Sequence, residues 1–202
     1  PLAVDGLRQI LWGAFAKLVI ADNCALLAAP IFDNYHNLPS STLLIGAFFY
    51  LFQVYCDFSG YSNMAIGISK LFGIQLMRNF ASPFFSVNIN EFWKKWNISL
   101  SSWMMKYVFY PLSFTLRKWG KPGLIISVLI TFLIIGLWHG ANMTFILFGL
   151  FHGLYFIPII LYGKINKNVI NRNSRSFPPG KEVIRMMGVF LLVMLTIILF
   201  GA

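Results

Sequence analysis

Charged residues are scarce in this sequence. They make up 11% of its 202 residues, and only 6 are acidic. Soluble domains carry about 25% charged residues, whereas 58% of this chain is hydrophobic and 17% is aromatic. A soluble fold would leave too much of this apolar surface facing water. The composition therefore excludes a soluble globular domain and indicates an integral membrane protein.

The sequence also lacks several motifs of catalysis and metal binding. Its 2 cysteines, Cys24 and Cys56, lie in or beside apolar runs, which is typical of small buried side chains rather than of a disulfide or metal framework. It contains no Gly-x-Ser-x-Gly turn, phosphate-binding Walker loop or set of zinc ligands. Hydrolase and ATPase functions thus have no support, and neither a metal nor a bound cofactor is expected.

The positive charge of the chain is grouped around its apolar runs. The net charge is +10, but no basic stripe alternates with base-stacking aromatic residues, so nucleic acid is not an expected partner. Two basic clusters flank the longest uncharged run: Arg117, Lys118 and Lys121 before it, and Lys164, Lys167, Arg172, Arg175, Lys181 and Arg185 after it. Because membrane proteins keep such residues on the cytoplasmic side, both clusters are predicted there. Residues 164–181 are predicted to be a solvated connector.

The lengths of the hydrophobic runs predict several membrane crossings. Residues 122–163 carry no charge. At about 1.5 Å per helical residue they can cross a bilayer core of about 30 Å twice, with a break at residues 138–142. Residues 41–56 and 183–202 are predicted to form further spans.

Two other apolar segments do not have the pattern of simple spans. Residues 6–32 contain Arg8, Lys17 and Asp22, and residues 62–76 contain a lysine with glycines nearby. Charged or irregular backbone survives at membrane depth only when protein or a water-filled cavity surrounds it. We therefore predict an all-α polytopic membrane protein, a single domain over residues 1–202, with re-entrant or tilted helices around a polar interior.

Residues 91–110 are predicted to form one amphipathic helix at the membrane interface. At 100° per residue, Lys95 and Lys106 fall on one face of this helix. A separate aromatic stripe on the helix contains Trp93, Trp96 and Trp103. Such a helix places its indoles at the level of the lipid headgroups. Asn97 lies beside the aromatic stripe and would need a buried partner.

The three histidines differ as candidates for chemistry. His139 stands inside the uncharged run, and an ionisable group at membrane depth is a functional candidate. A neutral imidazole can take a proton from a hydroxyl, as acyl transfer to an alcohol requires, although a structural histidine bonded to a neighbouring helix is an equal alternative. His152 points away from His139 on a continuous helix, so packing or support is the favoured role. His36 lies in a polar stretch and is predicted to be an ordinary loop residue.

Asp57 is the other unusual residue, since it follows an apolar run and has hydroxyl groups close by. It could line a polar cavity or pair with a buried cation. Alternatively, it could cap a helix together with Ser59 and Gly60.

Three co-linear motifs carry a resemblance to a known family. Residues 55–67 resemble the Asp-Phe-Ser-Gly-Tyr-Ser segment of the membrane-bound O-acyltransferase (MBOAT) family, in the bacterial branch of alginate O-acetylation proteins and their polysaccharide-modifying relatives. Residues 91–101 resemble its Phe-Trp-basic-basic-Trp-His-Ile-Ser-Leu-Ser motif, and residues 136–141 its Trp-His-Gly signature. Residues 18–23 also fit, and order and spacing agree over most of the chain. Because the chain starts at Pro1, without Met, and stops at Ala202 inside an apolar run, it is expected to be a fragment that lacks both ends of a longer protein.

The resemblance implies a helical fold around a tunnel and a set of site residues. His139 corresponds to the histidine that faces the tunnel and is required for acyl transfer. Further residues expected to handle substrate or shape the tunnel are Asp57, Trp96, Asn97, Ser99, Trp138 and His152. Asn97 replaces the family's other motif histidine, and an amide can form hydrogen bonds but cannot act as a base near neutral pH. Either this position only orients substrate, or this branch relies on His139 alone, or the chain is a non-catalytic member.

The resemblance also implies an activity and partners. The expected enzyme passes an acetyl or other short acyl group from a cytoplasmic thioester towards hydroxyls of a cell-envelope polysaccharide, within the bacterial inner membrane. Acetyl-CoA is the expected donor and an acyl carrier protein the alternative, and an extracytoplasmic acyltransferase is the expected partner beside the lipid bilayer. A transporter or channel, or a scaffold of a polysaccharide-modification complex, is the competing hypothesis.

Overall fold

The computed structural model describes residues 2–162 and 178–201, and this part of the chain is helical without a β-strand. The α-helices are α1 Leu2–Ala14, α2 Asp22–Asp33, α3 Ser40–Leu71, α4 Ile89–Trp93, α5 Ile98–Met104, α6 Tyr110–Thr115, α7 Lys121–His139, α8 Met143–Leu154, α9 Ile157–Tyr162 and α10 Gly180–Gly201. Two π-helical turns, Phe15–Ala21 and Met105–Phe109, join α1 to α2 and α5 to α6.

Five helical segments of the described chain are long and apolar enough to cross a membrane: Leu2–Asp33, Ser40–Leu71, Lys121–His139, Met143–Tyr162 and Gly180–Phe200. The predicted all-α polytopic fold is confirmed. So is the double crossing within residues 122–163, whose break falls where α7 ends and α8 begins.

One predicted boundary is wrong. The span expected over residues 41–56 continues to Leu71 as the single helix α3, so the first part of residues 62–76 is regular helix. The glycines that suggested irregular backbone serve another purpose, because Gly60 and Gly67 let a second helix approach closely. Regular helix ends at Leu71, and residues 72–82 form no helix.

The chain divides into two compact units, Pro1–Ala81 and Ser82–Ala202, and the expectation of one domain stays a prediction. In the first unit, α1 packs against α3 with the two backbones almost touching. A Cβ atom added at Gly13 would lie 2.5 Å from the carbonyl oxygen of Gly60, and one added at Gly6 would lie 2.7 Å from that of Gly67. Small residues at such crossings allow the close packing by which helices associate in membranes.

Polar side chains join the same helices. Lys17 in the first π-helical turn forms an ion pair with Asp57 in α3. This pairing explains how a charged residue is shielded within residues 6–32. Asp57 lies in the middle of α3, so the helix-cap alternative is wrong. It does pair with a cation, but the Lys17 side chain is 36% exposed rather than buried.

Removing one charge of this pair is expected to reduce the amount of folded protein. Asp57→Asn leaves the Lys17 ammonium unpaired within a membrane span, which is costly. The double variant Lys17→Met/Asp57→Leu removes both charges and is expected to restore folding. The measurement is the monodisperse fraction of full-length protein in size-exclusion chromatography after a heating series in detergent.

Asp5→Asn provides the matched control for this prediction. Asp5 pairs with Lys70 near the helix end, and the Lys70 ammonium also donates to Gln9 Oε1 at 2.7 Å. Asp5→Asn is therefore expected to lower the monodisperse fraction less than Asp57→Asn does. A double variant as unstable as Asp57→Asn would contradict the assigned role of the ion pair.

The second unit is built on the α7–α8 hairpin, with α10 packed against α8. Phe200, near the end of α10, contacts His139 at the end of α7 with ring centroids 4.7 Å apart. Helices α7 and α10 thus run in the same direction, and Lys121 and Lys181 begin them at the same end of the unit. This agrees with basic clusters on one side of the membrane. Residues Lys164, Lys167, Arg172 and Arg175 and most of the predicted connector lie outside the described residues.

Candidate active site

His139 is the last residue of α7, directly before the reversal that leads into α8. Gly140 follows with φ 156°, and its backbone N–H donates to the carbonyl oxygen of Leu137 at 3.1 Å. Asn142 then caps α8, since its side chain accepts from the backbone N–H of Thr144. Local sequence thus places an imidazole at the end of a membrane-length helix.

Aromatic rings surround the half-buried His139. The ring centroids of Trp138 and Phe200 lie 4.8 and 4.7 Å from that of His139, and Phe148 meets it edge-on at 6.1 Å. Within residues 2–162 and 178–201, no hydrogen bond ties up its ring nitrogens. A neutral imidazole with a free nitrogen and partial exposure can accept a proton from a bound hydroxyl. Trp138 is 57% exposed and forms one side of this environment.

The segment predicted as one helix over residues 91–110 is broken, so this prediction is wrong. Helix α4 ends at Trp93, and α5 starts after Asn97, whose φ of 42° is left-handed. Asparagine tolerates this conformation better than most residues. The rotation of 100° per residue therefore does not continue through residues 91–110. The π-helical turn Met105–Phe109 changes the rotation a second time.

The break also changes where the tryptophans lie. Trp93 and Trp96 are buried at 6% and 8% exposure, rather than lying at the headgroup level. Lys95 turns back to pair with Glu91 at 2.8 Å. Trp103, by contrast, is exposed, as an interfacial residue would be.

Asn97 is buried at 5% exposure, and its side chain does not cap α5. Its backbone carbonyl accepts from the N–H of Ser101 at 2.9 Å. Ser99 follows in the first turn of α5 and is half-buried. The tunnel role expected for these two residues and for Trp96 stays a prediction.

His152 is fully buried on α8 and bonded to α4. The Trp93 indole Nε1–H donates to His152 Nδ1 at 3.2 Å. Phe148, one turn earlier on α8, contacts both His152 and His139. The structure therefore brings both histidines into contact with one phenylalanine.

Sequence reasoning missed the aromatic residues of this arrangement. Phe145, Phe148 and His152 share one face of α8 at helical spacing, which was the available signal for them. Phe200 lies in a different helix, α10, so no local sequence pattern could have predicted its contact with His139. Asp57 belongs to the first unit, and its predicted role in substrate handling stays a prediction. In the described part of the chain, no three His, Cys, Asp or Glu side chains are placed to hold a metal ion.

Five membrane-length helices and an available histidine at a helix reversal define a polytopic membrane protein with an ionisable group inside its helical unit. Residues 7–202 match the family described as MBOAT, membrane-bound O-acyltransferase family. The chain belongs to this family, which confirms the resemblance carried by its motifs.

Individual relatives agree with this assignment. The chain is 38% identical over 197 residues to the probable alginate O-acetylase AlgI of Pseudomonas syringae pv. tomato, covering 97% of this chain and 35% of that protein. It is 44% identical over 132 residues to the peptidoglycan O-acetyltransferase of Helicobacter pylori, covering 64% and 24%. It is 33% identical over 147 residues to the teichoic acid D-alanyltransferase of Bacillus subtilis, covering 69% and 36%. The chain thus spans about a third or less of the length of these relatives.

Proposed function

We propose that the protein containing this chain is an O-acyltransferase that acts from within the membrane and uses His139 as a base. The observation that carries the proposal is the position of His139 in a chain of this family: it is half-buried, at a helix end, with ring nitrogens that no described residue occupies. A base must reach the proton that it removes, and this histidine meets that requirement better than the fully buried His152.

The proposed reaction needs one proton carrier. His139 accepts the proton of the acceptor hydroxyl while the hydroxyl oxygen attacks the thioester carbonyl. The tetrahedral intermediate then expels the thiolate, breaking the C–S bond. The imidazolium returns the proton to that sulfur, so an ester and a free thiol are formed and the histidine is regenerated. Acetyl-CoA is the proposed donor, and an acyl carrier protein thioester is the alternative.

The proposed acceptor is a hydroxyl group of a cell-envelope polysaccharide. The three relatives are named for alginate, peptidoglycan and teichoic acid, so the envelope polymer as a class is better supported than any one polymer. We further propose that the protein lies in the bacterial inner membrane, and that an extracytoplasmic acyltransferase completes the transfer. Asp57, Trp96, Asn97, Ser99 and Trp138 are proposed to shape the path of the substrates.

Thioester cleavage by the full-length protein in lipid nanodiscs tests this function. We expect free thiol to be released from acetyl-CoA when a hydroxyl acceptor is supplied. Label from the acetyl group should appear as ester in the polymer when envelope polysaccharide and the extracytoplasmic fraction of the cell are added together. Nanodiscs without the protein provide the background rate. Acetyl-loaded acyl carrier protein in a parallel reaction distinguishes the two donors.

Two results would contradict the proposal. A transporter or channel would move solutes across the membrane without cleaving either thioester. A scaffold would leave both thioesters intact unless a separate enzyme were added.

A further inference from the structure

His152 is the buried polar residue that the proposed reaction leaves without a role. It is 1% exposed, and its Nε2 atom has no hydrogen-bond partner in the described part of the chain. A buried polar atom without a partner costs stability. A leucine would avoid this cost, so simple packing does not explain a histidine here.

The hydrogen bond to Trp93 fixes the chemical form of this histidine. An indole N–H can only donate, so His152 Nδ1 accepts and carries no proton. The neutral imidazole then holds its proton on Nε2. The rings of Phe92, Phe132 and Phe148 enclose it. Because the imidazole is sealed in this way, it is poorly placed to exchange protons with a substrate.

On one side, His152 contacts a ring that also contacts His139. The Phe148 ring centroid is 4.5 Å from that of His152 and 6.1 Å from that of His139. Phe200 closes the group, since its ring lies 5.4 Å from Phe148 and 4.7 Å from His139. A smaller or displaced side chain at position 152 would let Phe148 move and would change the surface that supports His139.

On the other side, His152 holds helix α4. Trp93 donates the hydrogen bond, and the ring of Phe92 lies nearly parallel to the imidazole at 6.5 Å. Phe92 in turn stacks on Trp96 at 5.4 Å. These contacts fix the residues immediately before the left-handed turn at Asn97.

We propose that His152 is a positioning residue of the acyl-transfer site. It fixes the position of His139 through Phe148, and it fixes the position of the turn at Asn97 through Trp93. The inference rests on the proposed function, because it assigns His152 a role in that same reaction. The proposed role depends specifically on His152 Nδ1 as the hydrogen-bond acceptor for the Trp93 indole. Any side chain that supplies an acceptor there should serve, whereas an apolar side chain of the same size should not.

Two substitutions at position 152 separate positioning from packing. Asparagine and leucine are similar in size, but only the asparagine Oδ1 can replace Nδ1 as acceptor for the Trp93 indole. In the thioester assay with full-length protein, we expect His152→Leu to lower kcat roughly 10- to 100-fold, the range that small displacements of catalytic groups produce. KM should change little. His152→Asn should recover most of the lost kcat.

Trp93→Phe removes the donor and leaves His152 in place. It is expected to lower kcat in the same direction as His152→Leu. The kcat of the double variant Trp93→Phe/His152→Leu should be no lower than that of the more damaging single variant, because both single variants already remove the same hydrogen bond. All variants are compared at equal amounts of monodisperse protein. If His152→Leu does not fold, the two single variants Trp93→Phe and His152→Asn decide whether position 152 acts through this hydrogen bond.

Three outcomes would overturn the inference. Wild-type kcat in His152→Leu would show that position 152 needs no acceptor. A His152→Asn variant as inactive as His152→Leu, with Trp93→Phe fully active, would show that the imidazole itself carries protons. Multiplicative effects in the double variant would show that Trp93 and His152 act independently. Failure of the proposed function is distinguishable, because the wild-type protein would then release no thiol from either thioester, or His139→Ala would release it at the wild-type rate.

Discussion

Replacing His139 by alanine in the full-length protein is expected to remove ester-linked acyl groups from the extracted envelope polysaccharide. Loss of a general base lowers a rate by about 10²- to 10⁴-fold. The membrane level of the protein should stay unchanged, because no described residue depends on the His139 nitrogens for a hydrogen bond. Alanine is also well tolerated at a helix end. The variant thus removes the proposed base without leaving a buried partner unpaired.

His36→Ala is the matched control for this experiment. His36 is an exposed residue of the turn Tyr35–Asn37 and belongs to the first unit. Ester content is measured in cells that carry either variant at equal membrane expression, and His36→Ala should match the wild type. Esters that persist in His139→Ala would make this histidine structural. The transporter and scaffold hypotheses would then take precedence.

The hairpin that carries His139 could be predicted from sequence because its signal is a length. A charge-free run too long for one crossing must turn, and the residues around Gly140 and Asn142 are the ones suited to a turn. The helix end at His139 follows from the same reasoning. The ion pair of Lys17 with Asp57 was open to prediction only as a possibility, because a carboxylate in an apolar segment does not reveal which cation it meets.

The break before α5 could not be predicted in this way. Helical periodicity assumes a constant rotation per residue, and a single left-handed residue at Asn97 cancels that assumption. A tryptophan buried in protein and one at the headgroup level also look identical in sequence, which is why Trp93 and Trp96 were misplaced. The contact of Phe148 with both histidines depends on tertiary packing, which no local pattern encodes.

Alanine at the glycines of the α7–α8 crossing is expected to destabilise the second unit severely. A Cβ atom added at Gly149 would lie 2.2 Å from the carbonyl oxygen of Phe132, and one added at Gly136 would lie 2.3 Å from that of Phe145. Both obstacles are backbone atoms, which cannot rotate away as a side chain can. The helices must therefore separate, and the cost should reach or exceed the ~1–3 kcal/mol of ordinary overpacking.

Gly188→Ala is the matched control, since no atom lies within 4 Å of a Cβ added there and the residue is exposed on α10. It should gain up to about 1 kcal/mol of helix propensity. Thermal unfolding of the full-length protein in detergent is the measurement, with Gly136→Ala and Gly149→Ala unfolding well below the control. Acyl transfer should fall with them, because separating α7 from α8 moves His139 away from Phe148. If Gly149→Ala unfolds at the temperature of Gly188→Ala, the two backbones are not in contact, and α8 does not support His139.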